Sequence, residues 1–335
     1  MHDWLQQTWY GAGDRGRWLA PLSRLFAALA GLRRTCYRRG WLPRYRSPRP
    51  VVVVGNLTVG GTGKTPLVAW LAPRLAAHGL RVGIAMRGYG GEGGPARRLT
   101  PGEPVASAGD EAVMLAQDLA VPVAIGARRA EAVRLLEPDC DLVLCDDGLQ
   151  HYGLARDFEI AVVDGARGLG NGRLLPAGPL REPPARLDAV DAVVVNGSGF
   201  ERAGALRMQL EPVAAVSLDG RRRRALAEFQ GQAVIALAAI GNPARFSASL
   251  RAAGLQVEER AWRDHAVIAP AAVSGRRGRP VLMTRKDAVK CVPDEWQDAW
   301  FVEVEARLQE PAATELVNRI AALAAAEPRG AMNRD

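Results

Sequence analysis

The sequence predicts an α/β protein: a mostly parallel sheet with helices on both faces, followed by a smaller C-terminal α/β lobe joined through a β-hairpin. Three observations carry this expectation. Short apolar runs alternate with helical periods along most of the chain, which is the pattern of strands and crossover helices. A glycine-rich loop separates the first such run from the first long helical period after it. The length of 335 residues corresponds to about two domains at roughly 150 residues each. With 48% hydrophobic and 24% charged residues the composition is ordinary and globular, which excludes a disordered, collagen-like or coiled-coil chain. The longest apolar stretch, residues 18–32, is broken by Arg24 and is shorter than the roughly 20 residues a spanning helix needs. No bilayer-crossing helix is expected. Cys36, Cys140, Cys145 and Cys291 show no C-x-x-C spacing, which fits a reducing compartment and no disulfide framework or zinc site. The first residues lack a basic segment followed by an apolar one, so no cleavable signal is expected.

Charge is concentrated at the start. Residues 1–50 hold ten arginines, among them Arg15, Arg17, Arg24 and Arg33, against Asp3 and Asp14. Their net charge of +8 equals that of the whole chain, so the basic character belongs to this segment and not to the body. Within it Pro21 suits a first helical turn, and Leu22, Leu25, Phe26, Leu29, Leu32 and Cys36 follow a helical period. Trp4, Trp9, Trp18 and Trp41 lie nearby. Such a helix either rests on an anionic membrane surface or packs on its own protein; a nucleic-acid arm is the weaker reading.

Residues 51–54, four valines, lead into Gly55-Asn56-Leu57-Thr58-Val59-Gly60-Gly61-Thr62-Gly63-Lys64-Thr65-Pro66, and a helical pattern follows to about His78. Strand, glycine loop and helix in this order cradle phosphate oxygens on backbone N–H groups. Thr58, Gly60, Gly61, Thr62 and Gly63 supply the loop, Lys64 reaches the β/γ-phosphates, and the Thr65 hydroxyl ligates Mg²⁺. Thr58 stands where the strict motif has glycine. The chain has 41 arginines and only three lysines, Lys64, Lys286 and Lys290, and one of the three stands where a compact ammonium is required.

The strand at 141–147 ends in Asp146 and Asp147, the place of a metal-binding carboxylate in a nucleotide site, or else a solvated Asp-Asp-Gly turn. Gln150 and His151 follow; the histidine is either structural or part of the site. Further strands are expected at 81–86, 121–125, 158–164 and 189–196. Ligands gather at the carboxyl ends of parallel strands, where Arg87 and the Gly109-Asp110-Glu111 segment fall. Taken alone, Asp110 reads as a helix N-cap. In the C-terminal part, residues 213–218 and 221–226 flank Asp219-Gly220, a two-residue hairpin signal. Strands at 234–239, 256–261, 280–284 and 300–304, a helix from Pro243 and a last helix near 312–325 make up the smaller lobe. Lys286 and Asp287 line a cleft or form a charged surface loop.

With these elements in place the chain closely resembles the tetraacyldisaccharide 4′-kinase family of lipid A biosynthesis over nearly its whole length. The matching segments are the N-terminal helix, 55–66, 87–90, 109–111, 146–151, 171–182 (Asn-Gly-Arg-Leu-Leu-Pro-Ala-Gly-Pro-Leu-Arg-Glu), 240–243, Asp264-His265 and 284–290. The family's loop also abandons the strict first glycine, so Thr58 is no departure; Ala266 is one, where a second histidine or a bulkier residue is expected. The resemblance implies an ATP- and Mg²⁺-dependent kinase that transfers the γ-phosphate to the 4′-hydroxyl of tetraacyldisaccharide 1-phosphate, forming lipid IVA at the cytoplasmic face of the inner membrane. It implies Asp110 with His265 as the catalytic pair, in which a carboxylate oriented by an imidazole accepts the hydroxyl proton, Lys64 and Asp146 as further catalytic groups, and Thr65 with Asp146/Asp147 near the metal. Arg87, Glu111, Gln150, His151, Glu182, Lys286 and Asp287 are further site candidates. Because the lipid cannot leave the bilayer cheaply, a membrane surface becomes the leading partner of the N-terminal helix; no nucleic acid and no obligate protein partner are expected. The expected units are 1–47, membrane-associating; 48–212, the phosphate-loop domain; 213–228, the hairpin linker; and 229–335, the small lobe. The competing reading is an ATPase that works as a membrane-associated nucleotide switch.

Overall fold

The structure is a computed structural model that describes residues 2–11, 16–273, 275 and 278–325; Arg15 and Asp14 lie outside these. Two helices, α1 (His2–Tyr10) and α2 (Ala20–Arg38), precede the first strand, β1 (Val51–Gly55). Then follow α3 (Lys64–Ala77), β2 (Val82–Met86), β3 (Arg97–Arg98), α4 (Val105–Ala108), α5 (Asp110–Asp118), β4 (Val123–Ile125), α6 (Arg129–Leu136), β5 (Leu142–Asp146), β6 (Phe158–Asp164) and β7 (Ala192–Asn196). The chain continues through β8 (Leu206–Ser217), β9 (Arg223–Ala225), β10 (Ala233–Ala238), α7 (Pro243–Ala252), β11 (Gln256–Ala261), β12 (Val281–Thr284), α8 (Arg285–Ala288), β13 (Ala299–Leu308) and α9 (Ala312–Ala325).

Among the described residues all thirteen strands join one sheet, in the order β11-β10-β12-β13-β8-β7-β6-β1-β5-β2-β4-β3, with β9 beside β8. All five residues of β1 are buried, as in a parallel strand covered on both faces. Val52 and Val54 pack with Leu67, Leu71 and Leu75 of α3 on one face, while Val51 and Val53 meet Leu136 and Cys140 on the other. Strands β4, β2, β5, β1, β6, β7 and β8 run parallel, and so do β13, β12, β10 and β11. The two sets meet at a single antiparallel seam, β8 against β13, which pairs from Ser217↔Trp300 to Met208↔Leu308.

That seam determines where ligands can bind. β8 pairs with β7 only over Leu206–Met208 and then runs on beyond its carboxyl end. β13 returns along this overhang carrying β12, whose pairing ends at Thr284↔Val302. Because the seam reverses strand polarity, the carboxyl edges of both parallel sets face the same space. Ligand-binding loops belong at such edges, and here two edges supply them.

Three expectations need correction. The last helix does not belong to the small lobe: Ala313, Leu316, Val317 and Ile320 of α9 join the core of the larger half, against α3. The hairpin forms, with Val216↔Arg223 paired, but its loop spans residues 218–221, closed by Ser217 N–H donating to Arg222 O at 2.9 Å, and is not a two-residue turn. Asp110 is not an N-cap; Gly109 occupies that position with φ +87° and leaves the carboxylate free to reach elsewhere.

The N-terminal helix packs on the protein by the face opposite its leucines. Ser23 is the buried residue of α2; its hydroxyl donates to Leu174 O and accepts from Ala177 N–H. Leu22, Leu25, Leu29 and Leu32 point outward with more than half their surface exposed, as do Trp18 and Trp41. Trp9 of α1 donates to Pro176 O. The 171–182 segment thus clasps the N-terminal helices on one side and the phosphate loop on the other, where Val59 N–H donates to Pro179 O and Arg181 N–H to Leu57 O.

Candidate active site

The cleft between the two carboxyl edges has a volume of about 1390 Å³, beyond the roughly 300–1,000 Å³ of a single small-molecule pocket. The seam forms its back wall through Phe301, Val302 and Val304. On the larger half the phosphate loop is held by two asparagines: Asn56 donates to Gly60 O at 3.1 Å and Asn196, at the end of β7, to Thr62 O at 2.9 Å. Gly63 has φ +97°, and a Cβ there would lie 2.3 Å from Asn196 Nδ2, so only glycine fits between loop and strand. Gly60 and Gly61 line the cleft, and a Cβ on Gly61 would meet nothing within 4 Å. From the opposite lobe Gly241 closes on the loop, its Cβ position 2.9 Å from Gly61 N.

The acid-ended strand lies beside the loop. Thr65 Oγ1 donates to Asp146 Oδ2 at 2.7 Å. Burial, reinforced by Glu111 and only partly offset by Lys64, pushes the Asp146 carboxyl up to about 6, and its Oδ1 is buried without a partner. Asp147, at φ +51°, turns toward Lys64 Nζ and Arg181 Nη1, each 3.5 Å from Oδ1. Burial alone would raise its carboxyl; Lys64 and Arg181 reverse that and hold it low. Arg129, fully buried on α6, braces both aspartates by donating to Asp146 O at 3.0 Å and Asp147 O at 3.4 Å.

These residues fit a Mg²⁺-bound nucleotide. The glycine cradle is open, Thr62 Oγ1 is a second buried oxygen without a partner, and Thr65, Asp146 and Asp147 offer hard oxygen donors. Among the described residues no group of three or more His, Cys, Asp or Glu forms a metal cage; Mg²⁺ held by one or two carboxylates plus phosphates needs none.

A carboxylate–imidazole pair joins the two halves, Asp110 from α5 of the larger one and His265 from the loop after β11 of the other. His265 Nδ1 lies 3.0 Å from both oxygens of Asp110, and the Tyr89 ring covers the imidazole at 4.8 Å. The hydrogen bond from Asp110 raises the His265 pKa against the opposing effects of burial and Lys286. Burial would push Asp110 up, but His265, Lys286 and Lys290 outweigh it and lower its pKa. Lys286 Nζ donates to Glu111 Oε1 at 3.0 Å and Asp264 Oδ1 at 3.1 Å, and lies 3.5 Å from His265 Nε2.

Not every candidate meets the cleft. Arg87, Glu111, Gln150, His151 and Lys286 line it together with the loop residues Gly60 to Thr65, Asp146, Asp147 and His265. His151 is neutral, since burial and Arg129 lower its pKa to about 4. Asp110 sits behind His265, buried, so the imidazole and not the carboxylate is presented to the cleft. Thr58 is a bridge partner of Leu180 and does not face the cradle. Glu182 is buried behind Gln150, which donates to it at 2.8 Å, and also bonds Tyr152 and Arg186. Asp287 is likewise internal: it accepts from Ala239 N–H at 3.1 Å and Thr284 Oγ1 at 2.6 Å. Sequence reasoning missed Arg129, Asn196, Gly241 and Lys290. Nothing singles out Arg129 among 41 arginines, whereas the scarcity of lysine was a usable signal for Lys290.

A cradle for phosphate oxygens on one side of a cleft and, on the other, an imidazole bonded to a buried carboxylate from the first side leave room for a phosphoryl donor and an acceptor, the arrangement of a P-loop phosphotransferase. Comparison with known sequences agrees. The profile of the tetraacyldisaccharide-1-P 4′-kinase family matches residues 15–322. A tetraacyldisaccharide 4′-kinase from Pseudomonas paraeruginosa is 46% identical over 90% of this chain and 92% of its own, and one from Aeromonas salmonicida is 46% identical over 95% and 97%. In three dimensions the chain is similar to the crystal structure of LpxK from Aquifex aeolicus in complex with ATP, with a TM-score of 0.75 and 28% identity over 91% of this chain and 99% of the other. The chain belongs to the tetraacyldisaccharide 4′-kinase family.

Proposed function

We propose that this chain transfers the γ-phosphate of Mg²⁺–ATP to the 4′-hydroxyl of tetraacyldisaccharide 1-phosphate, yielding lipid IVA. The observation that carries the reading is the facing of two carboxyl edges: Lys64, Thr65, Asp146 and Asp147 stand on one, His265 on the other, and Asp110 of the donor half reaches His265 across the join, in a cleft large enough for nucleotide and sugar together. Lys64 neutralises charge on the transferring phosphate; Thr65, Asp147 and Asp146 would hold Mg²⁺, which would supply further charge neutralisation at the phosphate oxygens. His265, oriented and polarised from behind by Asp110, accepts the hydroxyl proton on Nε2. Lys286 fixes the neighbouring carboxylates. Arg87, Gln150 and His151 line the floor where the acceptor sugar enters.

The leucine face of α2 is turned outward with Trp18 and Trp41 beside it, while Arg33 of the same helix lines the cleft. An apolar patch of this kind ringed by arginine suits an anionic membrane surface. It would set the cleft mouth at the headgroups of the cytoplasmic face, where the lipid resides. On this reading residues 1–47 are the membrane-facing unit, 48–212 the donor half, 213–228 the hairpin, and the remainder the acceptor lobe with α9 returned to the donor half.

The test is transfer of label from γ-labelled ATP to purified tetraacyldisaccharide 1-phosphate in detergent micelles, beside Lys64→Ala and Asp110→Ala. Label in the lipid, lost in both variants, supports the reading. Label released only as inorganic phosphate, whether or not lipid is present, defeats it in favour of a nucleotide switch.

A further inference from the structure

Lys290 follows α8 and is as deeply buried as the carboxylates it meets, with 4% of its side chain exposed. Its ammonium lies 2.7 Å from Asp287 Oδ1, 2.9 Å from Ala266 O and 3.9 Å from Asp110 Oδ2. Removing a cation from water is costly unless its partners recover the loss, and these three do so from three elements: α8, the loop after β11, and α5. A guanidinium is longer, planar and demands a fork of acceptors; these acceptors surround a point. In a chain with 41 arginines and three lysines, the three ammonium groups are Lys64 at the phosphate loop and Lys286 and Lys290 around one histidine.

The charged and titratable groups around Asp110–His265 divide by element. α5 contributes Asp110 and Glu111, the loop after β11 contributes Asp264, the turn around α8 contributes Lys286, Asp287 and Lys290, and the loop after β2 contributes the Tyr89 ring. Lys286 is already engaged by Glu111 and Asp264. Lys290 is a second cation beside Asp110, 3.9 Å from its Oδ2 on the buried side, and through Ala266 O it also ties down the residue next to His265.

We propose that Lys290 is a positioning residue for the acceptor site: its buried ammonium clamps the Asp110 carboxylate, in its ionised form, against Nδ1 of His265 and anchors the His265 loop, so that Nε2 is presented to the cleft. This rests on the reading of Asp110–His265 as the proton-accepting pair. With a neutral side chain in place of Lys290, Asp110 loses one of the cations that favour its ionised form, and the Asp110–His265 pair surrenders its proton only at higher pH.

The experiment compares the parent with Lys290→Met, Lys290→Gln, Lys290→Arg and Asp110→Asn in the micelle assay across pH, with thermal melting and nucleotide KM as controls. Glutamine can still donate to Asp287 and Ala266 O, so a purely structural lysine would tolerate it. The expected result is that both neutral variants melt as folded proteins with nucleotide KM within about twofold of the parent. Their kcat falls on the order of tenfold or more, and the acid limb of the kcat profile moves upward by about one pH unit. Lys290→Arg leaves the limb in place, whatever its turnover. An unmoved limb in Met and Gln, an equal shift in Arg, or failure of both neutral variants to fold overturns the proposal. If Asp110→Asn instead keeps full turnover, it is the proton-accepting pair that falls.

Discussion

Two aspartates beside this cleft are buried alike, yet their pKa values are pushed in opposite directions because their neighbours differ. Burial and the nearby Glu111 push the Asp146 carboxyl up to about 6 although Lys64 and the Thr65 hydroxyl oppose them; Asp110 meets an imidazole and lies near two ammonium groups, and is held low against its burial. The second arrangement has a consequence for stability. The pKa of His265 is raised in the fold, so its contribution is complete below its ordinary value of about 6.5 and is lost as pH rises through the raised one; that of Asp110 is lowered, so its contribution is present above about 3.9 and lost as pH falls through the lowered one. His265→Asn is therefore expected to destabilise the fold more near pH 5.5 than at pH 9, measured by urea unfolding at the two pH values. At Lys64 the shape of the cation matters as much as its charge. Lys64→Arg is expected to lose kcat by on the order of 10²–10³, and retention of parental turnover in the label-transfer assay would contradict the point-charge role. Lys64, Thr65 and the aspartate pair were legible because their spacing is local. That Asp110 stands behind the imidazole was not, because a bond across 155 positions of chain leaves no local trace.

At the scale of elements, the period of α2 gave its apolar stripe but not the direction in which the stripe points. An amphipathic helix normally turns its leucines inward; here Ser23 and the 171–182 clasp take the inner face and the leucines are left outside. Each exposed leucine that enters an apolar phase contributes roughly 1.5–3 kcal/mol. Leu25→Glu with Leu29→Glu is thus expected to weaken co-sedimentation with anionic vesicles at least about tenfold while leaving the melting temperature nearly unchanged. A large drop in melting temperature would show instead that the stripe belongs to a core. The same limit explains α9: periodicity marks a helix near 312–325, whereas its lodging against α3 is decided by the return path of β13.

At the scale of the whole molecule, the alternation of strands and helices was enough to predict a parallel sheet, but not that two such sheets meet head to head. The polarity reversal depends on β8 and β13 pairing across some 90 residues of intervening chain, from Met208↔Leu308 to Ser217↔Trp300, and no local pattern encodes it. Lobe closure over the loop is visible in the contact of Gly241 with Gly61 and in the Arg285–Asp118 pair. Beyond that, the overhang of β8 and β13 acts as a ruler. Strands advance about 3.4 Å per residue, so two residues inserted into each, which preserves the alternation of faces, would lift the acceptor lobe by about 7 Å. Reacting atoms must come within about 3–3.5 Å of one another. Such a lengthened protein is expected to bind a fluorescent ATP analogue on its intact phosphate loop and yet place no label on the lipid; lipid labelling at the parental rate would show that the gap is set elsewhere. The distance between donor and acceptor would then be written in strand length, the same quantity that lets His265 on one half reach Asp110 on the other.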